Sequence, residues 1–326
     1  MTTLAAYVTE LGPPERIEVG QLPVSPLGPT DVLVRTEVLA VDQVDTLVRS
    51  GRYKTPTPFP FIIGRDLVGT VMSRGPGAVG FAEGDRVWCN SLGHGGRQGS
   101  FAQEVVVAAE RLYHLPDGVD PEAAAAVAHT AATAWIGLSR EARLRAEETI
   151  IVGGGGGGVG SAAVQMAAAS GARVVATAAE QDFEWCRAAG ARQVVDYHDH
   201  HMIAKLADVV PQGADVYWDT SGHQDLQTII PLLARGGRVL VTAARSQSTM
   251  PAEHYYTHDI RVLGFVISNA SVSDLAAAAK AVNVFLADGT LRPRIGARLP
   301  LTKATEAHRR QEAGDTGGGR ILVTPR

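Results

Sequence analysis

The pattern of apolar and polar positions changes character along the chain. Up to about residue 122 it is a series of short β-rich runs, among them Asp31-Val-Leu-Val-Arg-Thr-Glu-Val-Leu and Gly69-Thr-Val-Met. Pro56-Thr-Pro-Phe-Pro and Gly75-Pro-Gly punctuate them, and Gly84-Asp85-Arg86 reads as a turn into a strand at Val87-Trp88. From about 123 to 267 strands and helices alternate. The predicted strands are Glu148–Val152, Arg173–Thr177, Gln193–Tyr197, Asp215–Asp219, Gly237–Val241 and Ile260–Phe265, with helices at Ser161–Ser170 and Phe183–Ala189 between them. Such alternation implies a parallel sheet with helices on both faces. After 267 come a predicted helix, Ser273–Ala287, and strand runs at Leu291–Ile295 and Arg320–Val323. That tail is too short to fold alone and is expected to rejoin the N-terminal part. The expected organisation is therefore an α/β chain in which 1–122 plus 268–326 form one domain and 123–267 another.

Composition narrows the class. At 326 residues, 45% apolar and 20% charged, the chain has material for two buried cores and is not a disordered segment. No apolar run approaches the roughly 18 residues of a membrane span. A net charge of −4 without a long basic run argues against a nucleic-acid partner. Met1-Thr-Thr carries no basic head and Glu10 interrupts the opening apolar segment, so a cytoplasmic protein is expected. Cys89 and Cys186 are the only cysteines, too few for a four-thiolate zinc site or a disulfide scaffold.

The sharpest motif is the run of six glycines from Gly153 to Gly158, followed by Val159 and Gly160, between an apolar strand and a helix. Gly155, Gly157 and Gly160 satisfy G-x-G-x-x-G, with Gly158 and Val159 inside the pattern, although six consecutive glycines fit several registers. Glycine lets the backbone turn tightly and approach a pyrophosphate, which then rests on the free N–H groups of the helix N-terminus. NAD enzymes place an acid at the end of the next strand for the ribose 2′-hydroxyl. Thr177 stands there instead, and Arg187 and Tyr197 are near enough in sequence to approach a 2′-phosphate. NADPH is the expected cofactor, ahead of NADH. Thr242 follows the end of a later strand, where open α/β sheets bind ligands.

Several segments taken in order resemble the zinc-free branch of the medium-chain dehydrogenase/reductase superfamily, the quinone oxidoreductases and zeta-crystallin. Val41-Asp-Gln-Val-Asp-Thr-Leu-Val-Arg-Ser-Gly51 with Tyr53 resembles N-P-x-D-x-x-x-R-x-G-x-Y, and Phe61-Ile-Ile-Gly-Arg-Asp-Leu-Val-Gly69 resembles P-x-x-G-x-[DE]-x-x-G. Thr133-Ala-Trp, Leu233-Ala-Arg-Gly-Gly-Arg-Val-Leu-Val, Ala307-His-Arg and Gly319-Arg-Ile-Leu-Val complete the set. The resemblance implies a GroES-like β-rich catalytic domain with a doubly wound Rossmann domain inserted into it and the active site in the cleft between them. It also implies a homodimer joined through Rossmann edge strands, here Ile260–Phe265.

In zinc members of the superfamily the catalytic metal positions fall on Asp42, Arg65, Asp66 and His129. Arg65 puts a fixed positive charge where a cation would sit, so no metal is expected. Asp42, with His129, Arg65 and Asp66, is instead read as an ionisable group that donates a proton; an imidazole oriented by a carboxylate suits that task near neutral pH. Arg65 and Asp66 read equally as a buried ion pair holding their turn, and His129 as a helix-capping residue. By the same resemblance Tyr53 sits near the substrate, Thr133 under the nicotinamide, and Phe265 and Ile267 beside its amide. Asp45 reads as structural, and His198, His200 and His201 as a solvated loop. The expected function is NADPH-dependent reduction of a small-molecule quinone or α,β-unsaturated carbonyl compound. A carbonyl or alcohol oxidoreductase, or an NADPH-binding sensor or structural protein with little activity, are the alternatives.

Overall fold

The computed structural model describes residues 1–243 and 249–325. The chain forms two compact units, one from Met1–His129 and Ser271–Arg326, the other from Thr130–Ala270. The first division falls inside a helix, so residues 123–129 group with the first unit and 268–270 with the second.

The first unit opens with strands β1 (Thr2–Val8), β2 (Glu18–Pro23) and β3 (Asp31–Ala40), then helix α1 (Gln43–Arg49). Strands β4 (Phe61–Ile62), β5 (Asp66–Arg74), β6 (Arg86–Cys89), β7 (Glu104–Ala108) and β8 (Tyr113–His114) follow, and helix α2 (Pro121–Trp135) ends the segment. A small sheet has the order β2-β1-β4. The larger sheet centres on β3, which pairs antiparallel with β5 and with β7. Its largely buried face packs Val32, Val34 and Leu39 into a core with Leu67, Val87, Phe101 and Val105. Helix α1 starts with reciprocal caps: the Asp42 side chain accepts from the backbone of Asp45, and the Asp45 side chain accepts from Asp42 N–H at 2.9 Å. Asp45 is thus the structural residue expected, and the same cap fixes the backbone of Asp42.

The second unit alternates as its sequence predicts. Its strands are β9 (Thr149–Gly153), β10 (Arg173–Ala178), β11 (Gln193–Asp196), β12 (Ala214–Asp219), β13 (Leu233–Val241) and β14 (Arg261–Gly264). They form one sheet in the order β11-β10-β9-β12-β13-β14, all pairs parallel. Ile150, Ile151 and Val152 of the central strand are fully buried, the uninterrupted apolar run required of a strand covered on both faces. Helix α3 (Gly158–Ala169) follows β9 directly, starting three residues ahead of the helix expected from the sequence. The fold class is the expected one: an α/β doubly wound parallel sheet with a separate β-rich unit.

The chain then returns to the first unit through α4 (Val272–Ala287), β15 (Ile295–Pro300), α5 (Ala304–Ala313) and β16 (Arg320–Thr324). Strand β16 pairs with both β15 and β3 and so completes the larger sheet. The strand expected over Leu291–Ile295 begins only at Ile295, because Pro293 has no N–H to give a ladder.

Candidate active site and family

At the end of β9 the backbone turns through Gly154, whose φ of +75° is the left-handed region that glycine enters freely. The turn is held by Thr177: its carbonyl accepts from Gly155 N–H at 2.8 Å and its hydroxyl accepts from Gly154 N–H at 3.3 Å. Thr177 is 1% exposed, so the residue expected to choose between ribose substituents instead braces the turn. A Cβ on Gly160 would stand 2.1 Å from the Gly154 carbonyl oxygen, and one on Gly155 would stand 2.9 Å from Ala176 Cβ. Gly157 is the N-cap of α3 and supplies no side chain to it, so the first amides of the helix face outward beside exposed Gly157 and Gly158. A short, side-chain-free cradle ending on helix amides fits the pyrophosphate of a dinucleotide. Val159 lies in the first turn of this helix.

The other expected cofactor residues have identifiable partners or burial of their own. The Thr242 hydroxyl accepts from Trp218 Nε1 at 3.1 Å, and Phe265 packs at a tilt on the same Trp218 ring. Ile267 and Thr133 are buried. The Arg187 guanidinium lies over the Phe183 ring, and Tyr197 is exposed beside His198. His198 bonds Asp196, and His201 N–H bonds Asp199, as in a solvated connection.

In the first unit, residues 42, 66, 129 and 320 come together. Asp42 Oδ1 accepts a hydrogen bond from the Arg320 guanidinium, whose Nε donates to the Ala126 carbonyl at 3.0 Å. Asp66 Oδ2 accepts from His129 N–H at 3.1 Å, and His129 Nδ1 lies 3.1 Å from the Asn90 carbonyl oxygen. Asn90 also donates through its side chain to the Ala128 carbonyl at 3.1 Å. The remaining carboxylate oxygens, Asp42 Oδ2 and Asp66 Oδ1, are buried and meet no hydrogen-bond donor. Two buried carboxylates in this relation cannot both stay ionised at low cost, so they divide one proton between them. Burial raises Asp42, but the Arg320 charge, His129 and the hydrogen bond from Arg320 outweigh it and hold that carboxyl below its usual value. Burial and the Asp42 charge push Asp66 well above its usual value. Burial and charge thus favour the proton on Asp66 over Asp42. Burial also lowers His129, keeping the imidazole neutral.

Arg65 differs from its expected place. Its Nε lies 3.9 Å from Asp45 Oδ1, so it pairs with the α1 cap rather than with Asp66. Tyr53 packs against the core of the first unit.

The comparisons with known proteins cover both units. Residues 158–283 match the family model described as zinc-binding dehydrogenase, and residues 28–117 match the alcohol dehydrogenase GroES-like domain. The quinone oxidoreductase of Rattus norvegicus is 30% identical over 307 residues, covering 93% of this chain and 92% of that protein. The chain belongs to the medium-chain dehydrogenase/reductase superfamily. It is an NAD(P)H-dependent oxidoreductase of the quinone oxidoreductase-like kind. Among solved structures, an NAD-dependent alcohol dehydrogenase superposes with a TM-score of 0.89 at 31% identity over 99% of both chains. A mycobacterial protein complexed with NADPH superposes at 0.86 with 26% identity, over 99% of this chain and 100% of that one.

The superfamily's zinc chemistry can be tested against these residues. Asp42, Asp66 and His129 each offer a ligand atom, and the three atoms lie within 4.8 Å of one another. No thiolate joins them, and the guanidinium of Arg320 is already bonded to Asp42. Arginine cannot give up its proton to relieve a second cation. With Arg320 in place the set does not fit a metal. Arg320 was absent from the sequence-based site although it lies in Gly319-Arg-Ile-Leu-Val. Its signal was an arginine at the start of a buried strand, which needs an acid partner.

Proposed function

We propose that this superfamily member reduces quinones or α,β-unsaturated carbonyl compounds with NADPH and without zinc. When bound, the dinucleotide supplies a hydride to the electrophilic carbon conjugated to the carbonyl. The chain's own residues supply the proton that completes reduction. The observation that carries this reading is the buried Asp42–Asp66 pair beside His129: Arg320 bonds Asp42, while burial and the Asp42 charge favour a proton on Asp66. His129 is the most accessible of the three, its side chain 10% exposed against 0% for Asp66 and 2% for Asp42. It is the group through which the proton leaves. Tyr53 offers a hydroxyl to the substrate carbonyl, while Thr133, Phe265 and Ile267 flank the nicotinamide. The glycine turn, with Gly155, Gly157, Gly158, Val159 and Gly160, carries the pyrophosphate, and Arg187 and Tyr197 meet the 2′-phosphate. The similarity to quinone oxidoreductases and to an NADPH complex supports the substrate class and the cofactor.

The test is oxidation of NADPH, with NADH in parallel, against a quinone, a simple enone, an aldehyde and an enoyl thioester, with and without a chelator. Chelator-insensitive turnover of the quinone or enone is the expected result. Turnover confined to the aldehyde, or abolished by chelation, sinks the reading and favours the second one, an alcohol or carbonyl oxidoreductase like the structural relative at 31% identity. We further place the protein in the cytoplasm as a homodimer through β14. That strand ends its sheet and leaves a free edge for pairing. Sedimentation of wild type and Val262→Pro, the latter expected to be monomeric, checks the dimer.

A further inference from the structure

We propose that Arg320 is a built-in cation that takes the electrostatic place of a metal ion and keeps divalent ions out of the Asp42–Asp66–His129 group. The inference concerns the charge of the site and does not depend on which substrate is reduced. It begins from a disagreement within the chain. Three potential ligand atoms gather within 4.8 Å, buried, with Asp42 Oδ2 and Asp66 Oδ1 lacking any donor, an arrangement that would ordinarily attract a cation. The positive charge that answers them comes instead from β16, the strand that closes the larger sheet against β3. Arg320 Nη2 donates to Asp42 Oδ1, and its Nε is anchored on the Ala126 carbonyl of α2 at 3.0 Å. Two directional bonds on two elements fix the guanidinium, so it is an element of the site rather than a solvated side chain that swings aside.

The other charged groups around it sharpen the argument. Asp45, Asp42 and Asp66 are the acids, and Arg65 and Arg320 the bases, with Arg65 turned to Asp45. The Arg320 guanidinium already answers Asp42, so a divalent ion would add its charge beside a fixed cation. Removing Arg320 alone takes the guanidinium partner away from Asp42 Oδ1, beside the donor-less Asp42 Oδ2 and Asp66 Oδ1.

Co(II) serves as the probe, because tetrahedral Co(II) absorbs in the visible and needs no turnover to be read. Wild type and Arg320→Lys are expected to take up none, and their Tm should not move on adding the ion. Arg320→Met should bind one equivalent at least about 100-fold more tightly than wild type, the scale at which groups bordering a metal's ligands act. Its Tm should rise as Co(II) is added. If Arg320→Met does not fold unaided, refolding in Co(II) should recover it, and no recovery overturns the proposal. Three other results overturn it: one equivalent bound by wild type and lost in Asp42→Asn, a folded Arg320→Met that ignores the ion, or Arg320→Lys binding it like the methionine variant.

Discussion

The glycine turn of the second unit and the acid cluster of the first are built by opposite means. At the turn the critical positions are those without side chains: a Cβ on Gly160 would meet a carbonyl oxygen at 2.1 Å, and Gly154 holds φ at +75°. Its glycines are consecutive, so one local run of chain supplies the backbone of the turn, with Thr177 of β10 as its brace. At the cluster everything is side chain. Asp42 begins α1, Asp66 begins β5, His129 lies in α2 and Arg320 begins β16, so four elements must be in register before the charges meet. A site of the first kind tolerates change around it but not within it. A site of the second kind depends on the balance of charge, and one substitution redistributes protons across the remainder.

The largest effect that would break this contrast is expected at the turn. Gly160→Val forces a side chain against the Gly154 carbonyl of the backbone and should weaken NADPH binding by at least ~100-fold, about 2.7 kcal/mol, in a fluorescence titration run beside circular dichroism. Gly156→Ala meets only the Asp182 side chain, from its carboxylate to its Cβ at 2.9 Å, and no backbone atom, and should cost about 10-fold. Equal losses for the two would refute the backbone argument. At the cluster the order should reverse, with binding intact and chemistry lost. Asp66→Asn is expected to lower kcat by about 10²–10³-fold with the NADPH Kd within a factor of two, since general acid catalysis is worth that much. Undiminished turnover would remove Asp66 as the proton source.

The two units should also answer pH in opposite senses. In the first, burial and the Asp42 charge push Asp45 up to about 8, and Asp66 is raised as well. The native unit then holds protons that the unfolded chain has released between about pH 4 and 8. That stability is complete below the unfolded values and is lost as pH rises through about 8. In the second unit Glu148 is bound by Arg238 at 2.6 Å and by Arg145 at 2.9 Å. Burial opposes its ionisation, but these bonds prevail and lower it to about 2. Its contribution is present above the usual glutamate value and is lost as pH falls toward 2. Glu148→Gln should therefore destabilise by about 3–5 kcal/mol at pH 7, the cost of stranding a buried arginine, and by less at pH 3. Asp45→Asn should flatten the alkaline limb of the Tm profile without touching the acid limb. A profile in which both variants change the same limb contradicts the assignment. The smallest effect is expected from Arg187→Ala, which should shift the NADPH-to-NADH preference by no more than about 10-fold because its guanidinium already rests on Phe183.

Much of the architecture could be read before any coordinates. The alternation over 148–265 and the glycine run specify a parallel sheet and a helix N-terminus through local periodicity and backbone freedom, neither of which needs a distant partner. Asp42, Asp66 and His129 were likewise legible as members of one group, through motifs that resemble the superfamily's. What the sequence left open was pairing. It could not show that Arg65 turns to Asp45, that Arg320 crosses from the far end of the chain to Asp42, or that Thr177 braces the turn with its hydroxyl. Nor could it say which carboxyl keeps the proton, because a buried acid's charge depends on the groups around it and not on its own type. The chain's pattern by itself determined which backbone elements form and where glycine is obligatory, since those follow from neighbours in sequence. Only the tertiary structure decided the charges, since an ion pair between residues 42 and 320 exists only once β16 has closed the sheet beside β3.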